Sequence, residues 1–315
     1  VALAIQTPQG TIFHTGDWKL DPAPVIGRHY DRKRLESLRN EPILAMICDS
    51  TNAVVPGSTG SEGDLFAPLK EIADTSSGRL VVTTFASNVA RLVTLARVAA
   101  ATGRRFGVIG QAMERMIAVA QGTGYWPEDL PRLVPGRDLG YLPREEVFAA
   151  CTGSQGEPRS ALARMANDSH RDVLLDPGDT VIFSSRIIPG NERSVERVTQ
   201  RLRDLKIEVI TDQDASIHVS GHPAQDDLRR LYSWVQPPRV IPVHGTPRHL
   251  TANAAIAREC HVSHTLVIRN GDLCRLDRHN AAVLMRVSNG RLSPDRDGLL
   301  LPVPDPVLAR MQAAD

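Results

Sequence analysis

Four histidines fall within residues 216–250, in the stretch SIHVSGHPAQDDLRRLYSWVQPPRVIPVHGTPRHL. Imidazole titrates near neutrality and is the commonest nitrogen ligand for divalent metals. His218 and His222 bracket Val219-Ser220-Gly221, and His244 stands between Val243 and Gly245. Two carboxylates have similar settings: Asp17 follows Gly16 after the run Thr11–His14, and Asp49 ends the apolar run Ile43–Cys48 and opens Ser50-Thr51-Asn52. Open α/β sheets place ligands at the carboxyl ends of their strands, so imidazoles and carboxylates there can hold a metal or move a proton. Each residue alone also suits an ordinary turn or surface position.

The elements that would position these groups follow from apolar spacing. Gln225–Val235 carries Leu228, Leu231, Trp234 and Val235 at helical intervals and stops at Pro237-Pro238. Ile217–Val219 and Arg239–Val243 read as strands on either side of that helix. Upstream, two strands meet at a Pro-Gln-Gly turn, with the second spanning Thr11–His14. A helix is expected around Arg32–Leu38, then the strand Ile43–Cys48. From residue 61 strands and helices alternate. Strands are expected at Arg79–Thr84, Phe106–Ile109, Val147–Cys151, Thr180–Ser184 and Glu208–Thr211. Helices are expected at Gly63–Asp74, Val89–Ala101, Ala112–Gly122, Ala161–Ala166 and Ser194–Leu205. This is the pattern of a parallel-sheet α/β domain. After the histidine-rich stretch come a helix over His249–Cys260 and a strand over Thr265–Arg269 that turns at Asn270-Gly271 into Leu273–Leu276. A further hairpin joins Ala282–Val287 to Arg291-Leu292. The proline-rich Leu301–Pro306 leads into a short helical end.

Composition bounds the partners. The 315 residues, 42% hydrophobic, suffice for two domains, and a net charge of +1 demands no polyanion. Lysine occurs only at 19, 33, 70 and 206, so the cations are overwhelmingly arginine. That suits bidentate phosphate contacts, although a base-composition bias in the gene gives the same skew. Cys48, Cys151, Cys260 and Cys274 form no CxxC pair. They imply thiols in a reducing, cytoplasmic compartment rather than a disulfide frame. No 18-residue apolar run exists, and no membrane partner is expected. The strand-to-helix loops FASN, CTGSQGEP and SSRIIPGNE offer amides and hydroxyls to anions, and helix capping alone would also explain each of them. None matches GxxxxGK[ST] or GxGxxG.

HTGDWK, CDSTNA, TFASN, CTGSQGEP, PGNE, HVSGH and PVHG occur in this order across Leu3–Leu276. The series resembles the ribonuclease J family, whose fold is a metallo-β-lactamase αββα sandwich carrying an inserted β-CASP domain. The resemblance implies an α/β chain with residues 1–60 as the first part of the metallo-β-lactamase domain. Residues 61–212 would be the parallel-sheet β-CASP domain, 213–276 the last part of the metallo-β-lactamase domain, and 277–315 a linker or shortened C-terminal region. It further implies that Asp17 bridges two zinc ions (Zn2+) and that His244 ligates the second. Asp49 would act in catalysis by orienting a metal-bound water or histidine. His222 would stabilise charge at the scissile phosphate, and so serves both catalysis and substrate binding. His218, Ser220 and Gly221 would receive a nucleotide phosphate, with Ser87 and Asn88 as further candidates. His14 is not among the family's ligands.

The implied activity is zinc-dependent RNA hydrolysis in RNA processing and decay. It would be 5′-to-3′ exonucleolytic with possible endonuclease cuts, use a zinc-bound hydroxide, and work as a homo-oligomer in the full-length protein. The departure is that HxHxDH is absent and no histidine precedes His14. Val1 begins where the family's metallohydrolase domain would be half complete, and Thr246 follows PVHG where glutamate is common. We therefore expect an incomplete piece of a ribonuclease J-like enzyme, inactive alone. The alternative is a non-catalytic remnant that binds RNA or a ribonuclease subunit. A small-molecule hydrolase of the same fold is poorly supported, because it would lack the inserted domain.

Overall fold

The structure, a computed structural model, describes residues 2–290, 292–294 and 298–302. Val1, Arg291 and the segment from 303 onward, with its expected helical end, lie outside the described residues. The chain divides into two compact units. One comprises residues 2–21, 30–59 and the described residues from 220 onward; the other comprises 22–29 and 60–219.

The first unit begins with β1 (Leu3–Thr7) and β2 (Gly10–His14), an antiparallel pair. Helix α1 (Arg32–Ser37) follows, its N-terminus capped by Asp31, which accepts from the Arg34 amide at 3.0 Å. Then comes β3 (Ile43–Asp49), parallel to β2. Its apolar run is almost entirely buried, as a strand covered on both faces must be.

The second unit holds α2 (Phe66–Thr75), β4 (Leu80–Thr83), α3 (Val89–Ala101), β5 (Arg105–Ile109), α4 (Gln111–Gly122) and β6 (Val147–Cys151). It continues with α5 (Ala161–Ala166), β7 (Thr180–Phe183), α6 (Glu192–Asp204) and β8 (Glu208–Ile210). Its strands lie wholly parallel in the order β5-β6-β4-β7-β8. Successive strand residues alternate between two cores, as the two-residue side-chain period requires. Leu80, Val82, Phe148 and Ile182 pack with Leu69 and Leu95 of α2 and α3. Val81, Ala149 and Val181 pack with Leu162 of α5 and Leu202 of α6.

The chain returns to the first unit through α7 (Gln225–Val235), β9 (Arg239–Val243), α8 (Pro247–Glu259) and β10 (His264–Thr265). The sheet order there is β1-β2-β3-β9-β10, with only β1 antiparallel to its neighbour. Met46 and Cys48 of β3 meet Leu228, Leu231 and Val235 of α7 and Ile256 of α8 in one core. Two antiparallel pairs complete the unit: β11 (Asp272–Leu276) with β12 (Ala281–Arg286), and β13 (Leu292–Pro294) with β14 (Leu300–Pro302).

Three expected elements differ. Ile217–Val219 forms no strand, because the Ile217 carbonyl accepts from Ser184 Oγ at 2.6 Å and Arg91 Nη1 at 3.4 Å instead of a ladder partner. Thr265–Arg269 shortens to the two residues of β10 and does not pair with β11. Residues 282–287 pair back onto β11 rather than forward. The Asp277 carboxylate accepts from the amides of His279 and Asn280 at 2.9 and 2.8 Å, closing that turn locally. Among the described residues no helix is long and apolar enough to cross a membrane.

Candidate metal centre

Strands β2, β3 and β9 are parallel neighbours, with His14 opposite Ile47 and Asp49 opposite Val243. That register aligns their carboxyl ends. Asp17 just past β2, Asp49 at the end of β3 and His244 just past β9 therefore converge, and His222 joins them from the loop before α7. Asp17, Asp49, His222 and His244 each offer a ligand atom, and all four atoms lie within 4.8 Å of one another.

Asp49 organises the cluster. Its side chain is 1% exposed. One oxygen accepts from the Thr51 amide at 2.9 Å and the Thr51 hydroxyl at 2.7 Å, while the other lies 2.7 Å from His222 Nδ1. Burial pushes the carboxyl up, but the bonds from His222 and Thr51 outweigh it and hold Asp49 below its ordinary value. The same contact raises His222 against the opposing effect of burial, and the charges of Asp49 and Asp17 add to it. His244 Nδ1 lies 3.2 Å from Asp17 and 3.5 Å from Asp49, and its ring meets that of His222 edge-on at 5.2 Å between centroids. His244 sits at φ +57°, a left-handed conformation unusual for a residue with a Cβ. The Thr51 hydroxyl oxygen, whose proton goes to Asp49, lies 3.2 Å from the His244 carbonyl.

Residues that the sequence reading did not single out hold these groups in place. Asn52 Nδ2 donates to Ser220 Oγ at 2.7 Å and to the His222 carbonyl at 3.1 Å. The Thr59 hydroxyl reaches the same carbonyl at 2.7 Å. Asn253 of α8 donates to the Asp49 carbonyl at 3.0 Å. Thr51 and Asn52 stood in plain view in CDSTNA, whereas nothing local marked Thr59 or Asn253. Ser220 Oγ also accepts from the His222 amide at 3.1 Å, so it shapes the loop, and Gly221 is exposed. His14 Nδ1 is turned onto the Gly16 amide at 3.0 Å.

His218, Ser87 and Asn88 belong to the second unit. Asn88 caps α3 by accepting from the Arg91 amide at 3.0 Å, and Ser87 is exposed. Burial pushes His218 down to about 4, with the Arg91 charge adding, and its Nδ1 is buried without a hydrogen bond. Arg91 is itself fully buried. It makes a two-pronged contact with Glu62 at 2.9 Å on each arm and donates to Ser184 Oγ at 2.6 Å.

Two carboxylates and two imidazoles are a donor set suited to zinc or a similar divalent ion. A sheet that presents them at its strand ends, interrupted by a parallel-sheet unit inserted between residues 59 and 220, defines a metallo-β-lactamase-fold protein with a β-CASP insert. Residues 77–202 match the family described as Ribonuclease J, beta-CASP domain, and residues 206–264 match the Zn-dependent metallo-hydrolase RNA specificity domain. A ribonuclease J of Sinorhizobium meliloti is 41% identical over 96% of this chain and 53% of its own length. A ribonuclease J of Mycolicibacterium smegmatis is 38% identical over 94% of the chain and 53% of its own length. The crystal structure of a protein of unknown function from Enterococcus faecalis V583 superposes with a TM-score of 0.56 over 90% of this chain and 60% of that one, at 16% identity, and so shares the fold. The chain belongs to the ribonuclease J family. It spans about half the length of the curated relatives it matches.

Proposed function

We propose that this chain carries the β-CASP unit and part of the metal site of a ribonuclease that hydrolyses RNA phosphodiesters from the 5′ end, with possible internal cuts, in cytoplasmic RNA processing and decay. The observation that supports this reading is the convergence of Asp17, Asp49, His222 and His244 within 4.8 Å. A divalent ion held there, zinc in this reading, supplies a Lewis acid for phosphodiester hydrolysis.

Asp17 and His244 are the ligands. Their side chains are 68% and 54% exposed, and so remain open to a cation. Asp49, buried and already bonded to Thr51 and His222, acts behind them by orienting imidazoles, as carboxylates commonly do for metal-site histidines. With Nδ1 facing Asp49, His222 keeps Nε2 for charge developing on the phosphate. His218, Ser220 and Gly221 of HVSGH are proposed for phosphate binding, and Ser87 and Asn88 are further candidates.

The family's two-metal site also uses HxHxDH donors, which do not occur in this sequence. We therefore expect the 315-residue chain alone to bind zinc weakly and to leave RNA uncut. The test measures zinc content and hydrolysis of a 5′-monophosphorylated RNA by this chain, beside Asp17→Asn and His244→Ala. Stoichiometric zinc with sustained turnover would overturn the expected inactivity. Zinc binding indifferent to both substitutions would overturn the ligand assignment.

A further inference from the structure

A cavity of about 1030 Å3 opens within the second unit at the carboxyl ends of β5 and β6. The strand β5 is the edge of its sheet, yet it is not bare. The Val134 amide donates to the Phe106 carbonyl at 2.8 Å, and Val134 bridges to Gly107, so the loop 133–137 lies along the edge as one wall. A Cβ at Gly136 would meet the Val108 carbonyl at 2.7 Å, so glycine permits that approach. The opposite wall is α4, whose N-cap is Gly110. There φ is +124° and a Cβ would lie 2.9 Å from Thr152, so this position too requires glycine. As a glycine, it provides no side chain to cap the amides of the first turn.

The chemistry of the lining is divided. Ile117, Ala118, Leu133 and Val134 make one part apolar, while Arg159, Arg164 and His170 line another. Arg159 and Arg164 make no ion pair or side-chain hydrogen bond with any described residue, and both are exposed. The acidic lining residues are Glu114 and Asp172, and Asp172 is matched by Arg171 at 3.0 Å. His170 is only 9% exposed. Its Nδ1 accepts from the amides of Asp172 and Val173, each at 3.2 Å, which places the proton of the neutral ring on Nε2. That nitrogen has no partner among the described residues. Burial and then the nearby Arg164 charge push His170 down against the opposing charge of Asp172, and so favour the neutral ring.

An imidazole N–H without a protein acceptor, two guanidiniums without a carboxylate partner and an apolar wall within one cavity match a ligand with an anionic end and a flat, weakly polar end. We propose that this cavity is a second phosphate site, separate from HVSGH. It would take a ribonucleotide, either a free nucleoside monophosphate or one residue of an RNA strand. The phosphate lies against Arg159, Arg164 and His170, and the base lies against Leu133 and Ile117. The assignment does not rest on the reading of the metal centre, because every group in it belongs to the second unit.

The test uses the full chain in excess chelator, so that hydrolysis plays no part. Uridine monophosphate, uridine and a short oligouridylate are titrated by calorimetry, while the His170 ring resonance is followed by NMR. Binding of the monophosphate but not the nucleoside, with movement of the His170 signal, supports a free-nucleotide site. Binding of the oligonucleotide alone, with the same movement, supports a strand site. The double variant R159A/R164A should weaken whichever ligand binds by about tenfold or more, the range of lost charge-assisted hydrogen bonds. Its unfolding midpoint should stay unchanged, because neither side chain has a partner. Failure of both phosphate-bearing ligands to bind, a stationary His170 signal, or affinity within twofold in R159A/R164A would each overturn the proposal.

Discussion

Asp49 Oδ2 lies 2.7 Å from His222 Nδ1, and this contact decides which imidazole nitrogen stays available for chemistry. It joins the last residue of β3 to a loop 173 residues further along the chain. Because the carboxylate is 1% exposed and its other oxygen is held by Thr51, it has little freedom to turn away from the histidine.

Asp49→Asn should therefore loosen the metal centre without unfolding the sheet. Losing the carboxylate behind the metal-site histidines typically lowers affinity by about 10–100-fold. Competition with a chromophoric zinc chelator measures the change, and far-UV circular dichroism reports the fold. Wild-type affinity in the variant would show that Asp49 does not organise the ligands.

The two histidines of HVSGH should give opposite pH dependences. His218 is held at about 4, below the ordinary 6.5, so the unfolded chain binds the extra proton between those values. Its contribution to stability is present above about pH 6.5 and is lost as pH falls towards 4. His222 is raised, so its contribution is present below the ordinary 6.5 and is lost as pH rises through its folded value. Urea midpoints of the metal-free chain near pH 5, 6.5 and 8 should show the acid-side loss reduced in His218→Gln and the alkaline-side loss reduced in His222→Gln. Parallel profiles in the two variants would contradict both assignments.

The buried Arg91–Glu62 pair makes a separate prediction. Removing one partner leaves an uncompensated charge, so Arg91→Met should cost about 3–5 kcal/mol of stability in urea unfolding. Combining it with Glu62→Leu should recover much of that loss, because apolar replacements of similar volume are tolerated. If the double substitution were as unstable as the single one, the bonds from Arg91 to Ser184 and Ile217 would be carrying the stability instead.

Zinc should stabilise the first unit selectively. A ligand at about 100 times its Kd adds about 2.7 kcal/mol to the state that binds it. Hydrogen exchange should then slow in β3 and β9 on adding zinc, with β4 and β7 unaffected, and Asp17→Asn should abolish the effect. Equal protection of both units would point to nonspecific binding.

Much of this was legible in the sequence because the information is local. Apolar runs such as LVVT, VFAAC and TVIF need burial on both faces, and only a parallel sheet covered by helices provides it. The spacing of Leu228, Leu231 and Val235 was enough to place α7 at Gln225–Val235, where it lies. Asp17, Asp49 and His244 stood out as polar residues at strand ends.

Tertiary structure alone decided the rest. The register of β2, β3 and β9 brings those three together with His222. Asn253, 204 residues from Asp49, fixes the Asp49 carbonyl. Arg91 looks like any other arginine in an arginine-rich chain until folding buries it against Glu62 and Ser184. There it helps to capture the Ile217 carbonyl, and the strand that local apolar character favours at Ile217–Val219 does not form. Local sequence sets which conformations are favourable. Which partner satisfies each buried polar group depends on which distant segments the core brings alongside it.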